Sequence, residues 1–93
     1  MKFHQISAFD AVTRAGGIRA AARLLGLTQN AVTKAIRELE AEAGVSLLLR
    51  SARGVVLTES GQQLAARAHL LVEQMRAAED DIRQLNAGTG GNL

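Results

Sequence analysis

A chain of 93 residues with a formal net charge of +2 and no cysteine is one small domain with room for an extension, and it is not a disulfide-stapled scaffold. Hydrophobic residues make up 47% but aromatics only 2%, and the weight of Ala and Leu favours helix over sheet. No apolar run approaches the roughly 18 residues of a membrane span, and the opening MKFHQISAFDAV lacks the apolar core of a signal peptide, so the expected location is the cytoplasm.

Ile6, Phe9, Val12 and Ala15 recur at helical spacing, and Gly16-Gly17 ends that first helix. Ile18, Ala21, Ala22 and Leu25 repeat the pattern in a short second helix, which stops at Gly26. Leu27 alone separates this stop from Thr28, whose hydroxyl can cap a third helix. Two helices joined by a tight glycine-containing turn form a helix-turn-helix. Val32, Ala35, Ile36, Leu39 and Ala43 make the apolar side of the third helix, and Gly44 terminates it. The period then changes. Leu47–Leu49 and Val55–Leu57 are short apolar runs on either side of the turn-like Arg50–Gly54, which predicts a β-hairpin with Arg50 and Arg53 at its tip or flank. Thr58-Glu59 opens a last helix with a capping hydroxyl and an acid at the positive end of the dipole. Along it Leu64, Ala68, Leu71, Met75, Ala78, Ile82 and Leu85 alternate by four and three, an a/d seam of about three heptads. That seam is too long to be covered by so small a head, so these seven residues are the expected dimer interface, with some contact to the head expected near Leu64 and Ala68. The glycine-rich 87–93 is expected to be a flexible tail. The fold class is therefore mainly α, three helices plus a small hairpin over 1–58, then a long helix over 59–86.

Charge is uneven along the chain. Met1–Leu57 carries eight basic residues against four acidic, whereas Thr58–Leu93 carries three against five. A basic head suits a polyanion, although the asymmetry alone is equally consistent with an ordinary mixed surface. The third helix, which by residue types alone could equally be a solvated face, favours the polyanion when taken with the helix-turn-helix before it and the Arg-bearing hairpin after it. Gln29, Asn30, Thr33, Lys34 and Arg37 occupy the side away from its apolar stripe, and its acids Glu38, Glu40 and Glu42 come only afterwards. Carboxylates on a groove-facing surface would be repelled by phosphates. Asn and Gln can pair bidentately with adenine, Lys and Arg with guanine, and a Thr methyl can touch thymine. Arg53 beside Gly54 has two readings, an arginine that enters a minor groove, where narrow A·T tracts concentrate negative potential, or a surface arginine in a turn, which the hairpin taken alone would favour. Arg50 has two readings, a phosphate contact or a brace within the hairpin. Arg19, at the start of the second helix, is a phosphate ligand or a plain surface arginine.

With those residues in view, FDAVTRAGGIRAAARLLGLTQNAVTKAIRELEAEAGVSLLLRSARGVVLTESG resembles the N-terminal winged helix-turn-helix of LysR-type bacterial transcriptional regulators, and the helix that follows resembles their linker helix. The resemblance implies sequence-specific binding of double-stranded promoter DNA, pairing of linker helices into a homodimer, and tetramers in full-length members. It implies no cofactor in this part of the protein. A small-molecule effector would bind a C-terminal domain that this chain does not contain. By position, Gln29, Asn30, Thr33, Lys34 and Arg37 match recognition-helix residues and Arg53 the wing arginine. Thr28, Arg19, Arg50 and Thr58 match positions near the DNA backbone. Asn30 stands where the family often has proline, Gly17 where serine is common, and Leu48 where phenylalanine is frequent. Asn30 gives up a pre-set helix start for a side chain able to bond a base.

Two other function classes compete. A helical protein-interaction module would act through the coiled-coil seam, with the basic stripe incidental. An enzyme would need a reactive constellation. His4 and His69 are isolated in the sequence, and no Ser/His/Asp set or glycine-rich phosphate loop is present, which leaves DNA binding as the reading that absorbs most of the pattern.

Overall fold

Three helices form where the apolar spacing places them: α1 over Phe3–Ala15, α2 over Ile18–Leu25 and α3 over Gln29–Ala43. The structure, a computed structural model, describes residues 1–90. Between α2 and α3, Gly26 adopts φ 68°, a conformation that costs an L-residue with a side chain roughly 1–2 kcal/mol. This lets the Leu27 N–H return to the Ala22 carbonyl at 2.9 Å, which satisfies a helix-end acceptor and turns the chain. Thr28 then caps α3, its Oγ1 accepting from the Ala31 N–H at 3.1 Å.

The apolar stripes of the three helices meet in one core. Phe9, Val12, Ala21, Val32 and Leu39 are wholly excluded from solvent, and each large member contributes roughly 1.5–3 kcal/mol by burial. Buried Gln5 is satisfied at both ends of its amide. Its Oε1 accepts from the Lys2 N–H at 3.0 Å, and its Nε2 donates to Glu42 at 3.3 Å. Glu42 also meets the N-terminal ammonium at 2.6 Å. The ammonium, then the Gln5 amide, hold its carboxyl below the usual carboxylate range.

The hairpin pairs β1 (Leu48–Ser51) with β2 (Gly54–Leu57) in antiparallel register, from Leu48↔Leu57 to Ser51↔Gly54. Only Ala52 and Arg53 remain in the turn. The expected turn of Arg50–Gly54 is thus too wide, because backbone ladder bonds need no apolar side chain and the pairing runs on through Arg50 and Ser51. Strand alternation puts Leu48 and Arg50 on one face, toward the head, and Leu49 on the other with Val56.

Helix α4 covers Glu59–Gly90 and gives the molecule a long axis of 54 Å. The expected flexible tail is corrected over 87–90, which continues the helix. An internal glycine costs a helix only about 1 kcal/mol, and no proline interrupts. Residues 91–93, the rest of that expected tail, lie outside the described residues. The first turns of α4 dock on the head through Gly61, Leu64, Ala65, Ala68 and Val72, a set spaced for one helix face. Two polar links tie α4 to α1: His69 Nδ1 lies 3.3 Å from the buried carboxylate of Asp10, and Arg14 lies 3.6 Å from Glu73.

This docking corrects part of the expected dimer seam. Ala68 has no exposed surface and Leu64 is half-buried, both packed in the chain's own core. Leu64 and Ala68 lie where the a/d series overlaps the face that meets the head, and from Leu71 the series lies to one side of that face. Leu71, Met75, Ala78, Ile82 and Leu85 remain exposed, with Leu70 beside them.

Candidate nucleic-acid interface

On α3 the residues opposite the core lie open to solvent. Gln29, Asn30, Lys34 and Arg37 are exposed and Thr33 is half-buried. Asn30, Thr33, Lys34 and Arg37, with Glu38 and Ala41, border one shallow, open depression along the helix. The same helix buries Val32, Ala35, Ile36 and Leu39, so its two faces are separated as the residue types require.

Three of the head's four carboxylates are engaged by internal bonds. Asp10 faces α4 and Glu42 the N-terminus. Glu40 Oε2 accepts from the Leu47 and Leu48 N–H groups at 2.7 and 3.2 Å. Leu47 lies just before β1 and Leu48 is its first residue, so the carboxylate holds the entry to the wing. Glu38 alone of the four head acids has no hydrogen bond or ion pair among the described residues, and it borders the depression.

We predict that Glu40→Ala loosens the wing's root. Hydrogen bonds to a charged acceptor contribute about 1.5–3 kcal/mol. Amide hydrogen exchange at Leu47 and Leu48 should accelerate by one to two orders of magnitude while the amides of α1 keep their protection.

Arg50 and Thr58 differ from expectation. Arg50 Nη2 donates to the Thr33 Oγ1 at 3.2 Å, so it braces the wing against α3 and not within the hairpin. Both border a narrow cleft between helix and wing, together with Arg37 and Val55. Thr58 Oγ1 donates to the Ser46 carbonyl at 2.7 Å and accepts from the Gly61 N–H at 3.0 Å. Its one hydroxyl proton is committed, so it caps α4 and closes the base of the wing, and it has no donor left for a phosphate. Thr28 differs: its hydroxyl accepts from Ala31 and keeps its proton to donate. Arg19, exposed in the first turn of α2, and Arg53, exposed at the wing tip, have side chains free of protein partners among the described residues. Arg19, Thr28 and Arg53 border neither the depression nor the cleft.

Glu40 and the Arg50–Thr33 link have no local signature. Their partners lie seven, eight and seventeen positions away, across the break between α3 and the wing, so no single helix or strand period relates donor to acceptor. Among the described residues no group of three or more His, Asp or Glu could hold a metal ion, and no helix is long and apolar enough to cross a membrane.

Comparison with known proteins agrees with this geometry. Residues 3–62 match the family described as bacterial regulatory helix-turn-helix protein, lysR family. The chain is 37% identical over 86 residues to the HTH-type transcriptional regulator TdcA of Escherichia coli, covering 92% of this chain and 28% of that protein. It is 40% identical over 93 residues to the HTH-type transcriptional regulator TfdS of Cupriavidus pinatubonensis, covering all of this chain and 32% of that one. The chain thus spans about a third or less of these relatives. Among solved structures, the CbnR DBD–DNA complex superposes with a TM-score of 0.78 at 38% identity, covering 91% of this chain and 98% of that one.

Proposed function

We propose, for a chain that belongs to the lysR family of bacterial regulatory helix-turn-helix proteins, sequence-specific binding of double-stranded promoter DNA as the DNA-binding part of a transcriptional regulator. The N-terminal half of α3 enters the major groove and presents Gln29, Asn30, Thr33, Lys34 and Arg37 to base edges. Arg53 enters the adjacent minor groove. Arg19 and the Thr28 hydroxyl bind phosphates. The observation that carries this reading is the sorting of α3, with one face buried in the core and the other exposed and free of carboxylates through Arg37.

Two copies pair through α4 beyond its head-bound turns, along Leu71, Met75, Ala78 and Ile82, continuing to Leu85. Such pairing places two α3 helices on one dyad, so the target is an inverted repeat. Residues 1–58 act as the DNA-binding unit and the helix from 59 as the dimerising linker. A full-length regulator would add an effector-binding domain, assemble further to a tetramer, and work in the cytoplasm.

Selection of bound duplexes from a random pool tests this reading. It should return a dyad-symmetric motif, with binding that weakens steeply as salt rises. Recovery of unrelated sequences, or a shallow salt dependence, would point instead to a protein-interaction module acting through α4. Within the same assay, Arg53→Ala should lose affinity chiefly for motifs with A·T-rich flanks. Equal loss on G·C-rich flanks would remove Arg53 from the minor groove.

A further inference from the structure

We infer that Arg50 is a specificity-determining positioning residue, which sets the base preference of Thr33 without itself touching a base. The inference rests on the DNA-binding reading above and deepens it. Thr33 lies in the middle of the α3 stripe, between Asn30 and Arg37, and is half-buried where its neighbours are exposed. Its Oγ1 accepts a hydrogen bond from Arg50 Nη2 at 3.2 Å, across seventeen positions of sequence. The donor sits on β1, opposite Val55, on the strand face that strand alternation turns toward the head.

A threonine in a helix divides between two χ1 rotamers, because its hydroxyl can turn back to a carbonyl of the preceding turn. A charged donor on the wing ends that division. The hydroxyl is drawn toward the wing, and the γ-methyl, which diverges from it at Cβ, turns away from Arg50. The hydroxyl keeps its proton and a second lone pair, but both sit on the oxygen that Arg50 draws toward the wing. What the residue offers a groove is a fixed methyl group, and its chemical complement on a base edge is the thymine C5-methyl. The guanidinium is always charged and carries five donors, of which this bond uses one.

The consequence separates two kinds of arginine. An arginine that only binds phosphate contributes affinity to every sequence and no preference. Arg50 instead contributes preference at the single base pair that Thr33 faces.

Arg50→Met keeps the aliphatic stem over the wing and removes the donor, so the hairpin should stay folded; far-UV circular dichroism checks this. In selections from random duplexes, Arg50→Met should reduce the preference for thymine at one base pair per half-site by about fivefold or more, the scale of a single mismatch. Thr33→Ser, which removes the methyl, should relax the same position. In a Thr33→Val background, which has a methyl and no acceptor, Arg50→Met should change nothing further at that position. Uniform weakening on all duplexes with preference intact would overturn the inference and leave Arg50 a phosphate ligand. So would a preference change in the Val background as large as in the parent. A parent chain that selects no motif at all would overturn the DNA-binding reading itself, a distinct result from either.

Discussion

Lys34→Ala is expected to lose between about 5-fold and 150-fold in affinity for the selected motif, the range of one good base contact at 1–3 kcal/mol, and to change which motif is selected. Lys34 is exposed, lies at the centre of the stripe and forms no bond to protein among the described residues, so removing its ammonium should leave the melting temperature within experimental scatter. Asn30→Ala should behave the same way at a neighbouring base pair. Arg19→Ala is the informative contrast. It removes a charge from the edge of the domain, and binding should weaken with the selected motif unchanged. Fluorescence anisotropy on the selected duplex and on single-mismatch duplexes separates these outcomes. If Lys34→Ala and Arg19→Ala both weakened all duplexes alike, the stripe would be a phosphate-binding surface and the base-reading assignment would be wrong.

Gly61→Ala should destabilise the fold by about 1–3 kcal/mol, the usual cost of overpacking, despite a substitution that helix propensity favours by about 1 kcal/mol. Gly61 is buried in the first turn of α4, and a Cβ there would collide with the carbonyl oxygen of Leu47. That carbonyl has nowhere to go. It accepts from the Thr58 N–H at 3.0 Å, and the N–H of the same residue is held by Glu40 at 2.7 Å. The clash must be relieved by moving α4 or the root of the wing. At roughly 4–8 °C per kcal/mol for a domain of this size, calorimetry should show the melting temperature lowered by on the order of 5–20 °C. Ser60→Ala, one residue earlier and exposed, should stay within about 0.5 kcal/mol of the parent. A Gly61→Ala variant as stable as the parent would mean that the helix does not pack against Leu47 as described.

What could be read from the chain alone divides along a physical line. Elements set by local periodicity and local bonding were legible. The stripe of α3, the glycine stop at Gly26 and the Thr28 cap each follow from residues within one or two turns. The wing was legible as a hairpin but not in its register, because a ladder that continues through Arg50 and Ser51 leaves no apolar alternation to mark it. Side-chain links across elements were not legible. Thr58 looked like a cap and is one, but its bond to Ser46 and the consequent loss of its free donor depend on where the wing closes. Ala68 fits the seam pattern as well as Leu71 does, and only the angle at which α4 leaves the head decides that the first is buried and the second exposed.

The face of α3 turned away from the core is the surface on which the account depends. Titrating the isotope-labelled chain with its selected duplex, and following backbone amide chemical shifts, tests that surface directly. The largest perturbations should fall on Gln29–Arg37 and around Arg53 at the wing tip, with α4 beyond Met75 little changed at constant protein concentration. Perturbations centred on α4, with Asn30, Thr33 and Lys34 unmoved, would contradict it.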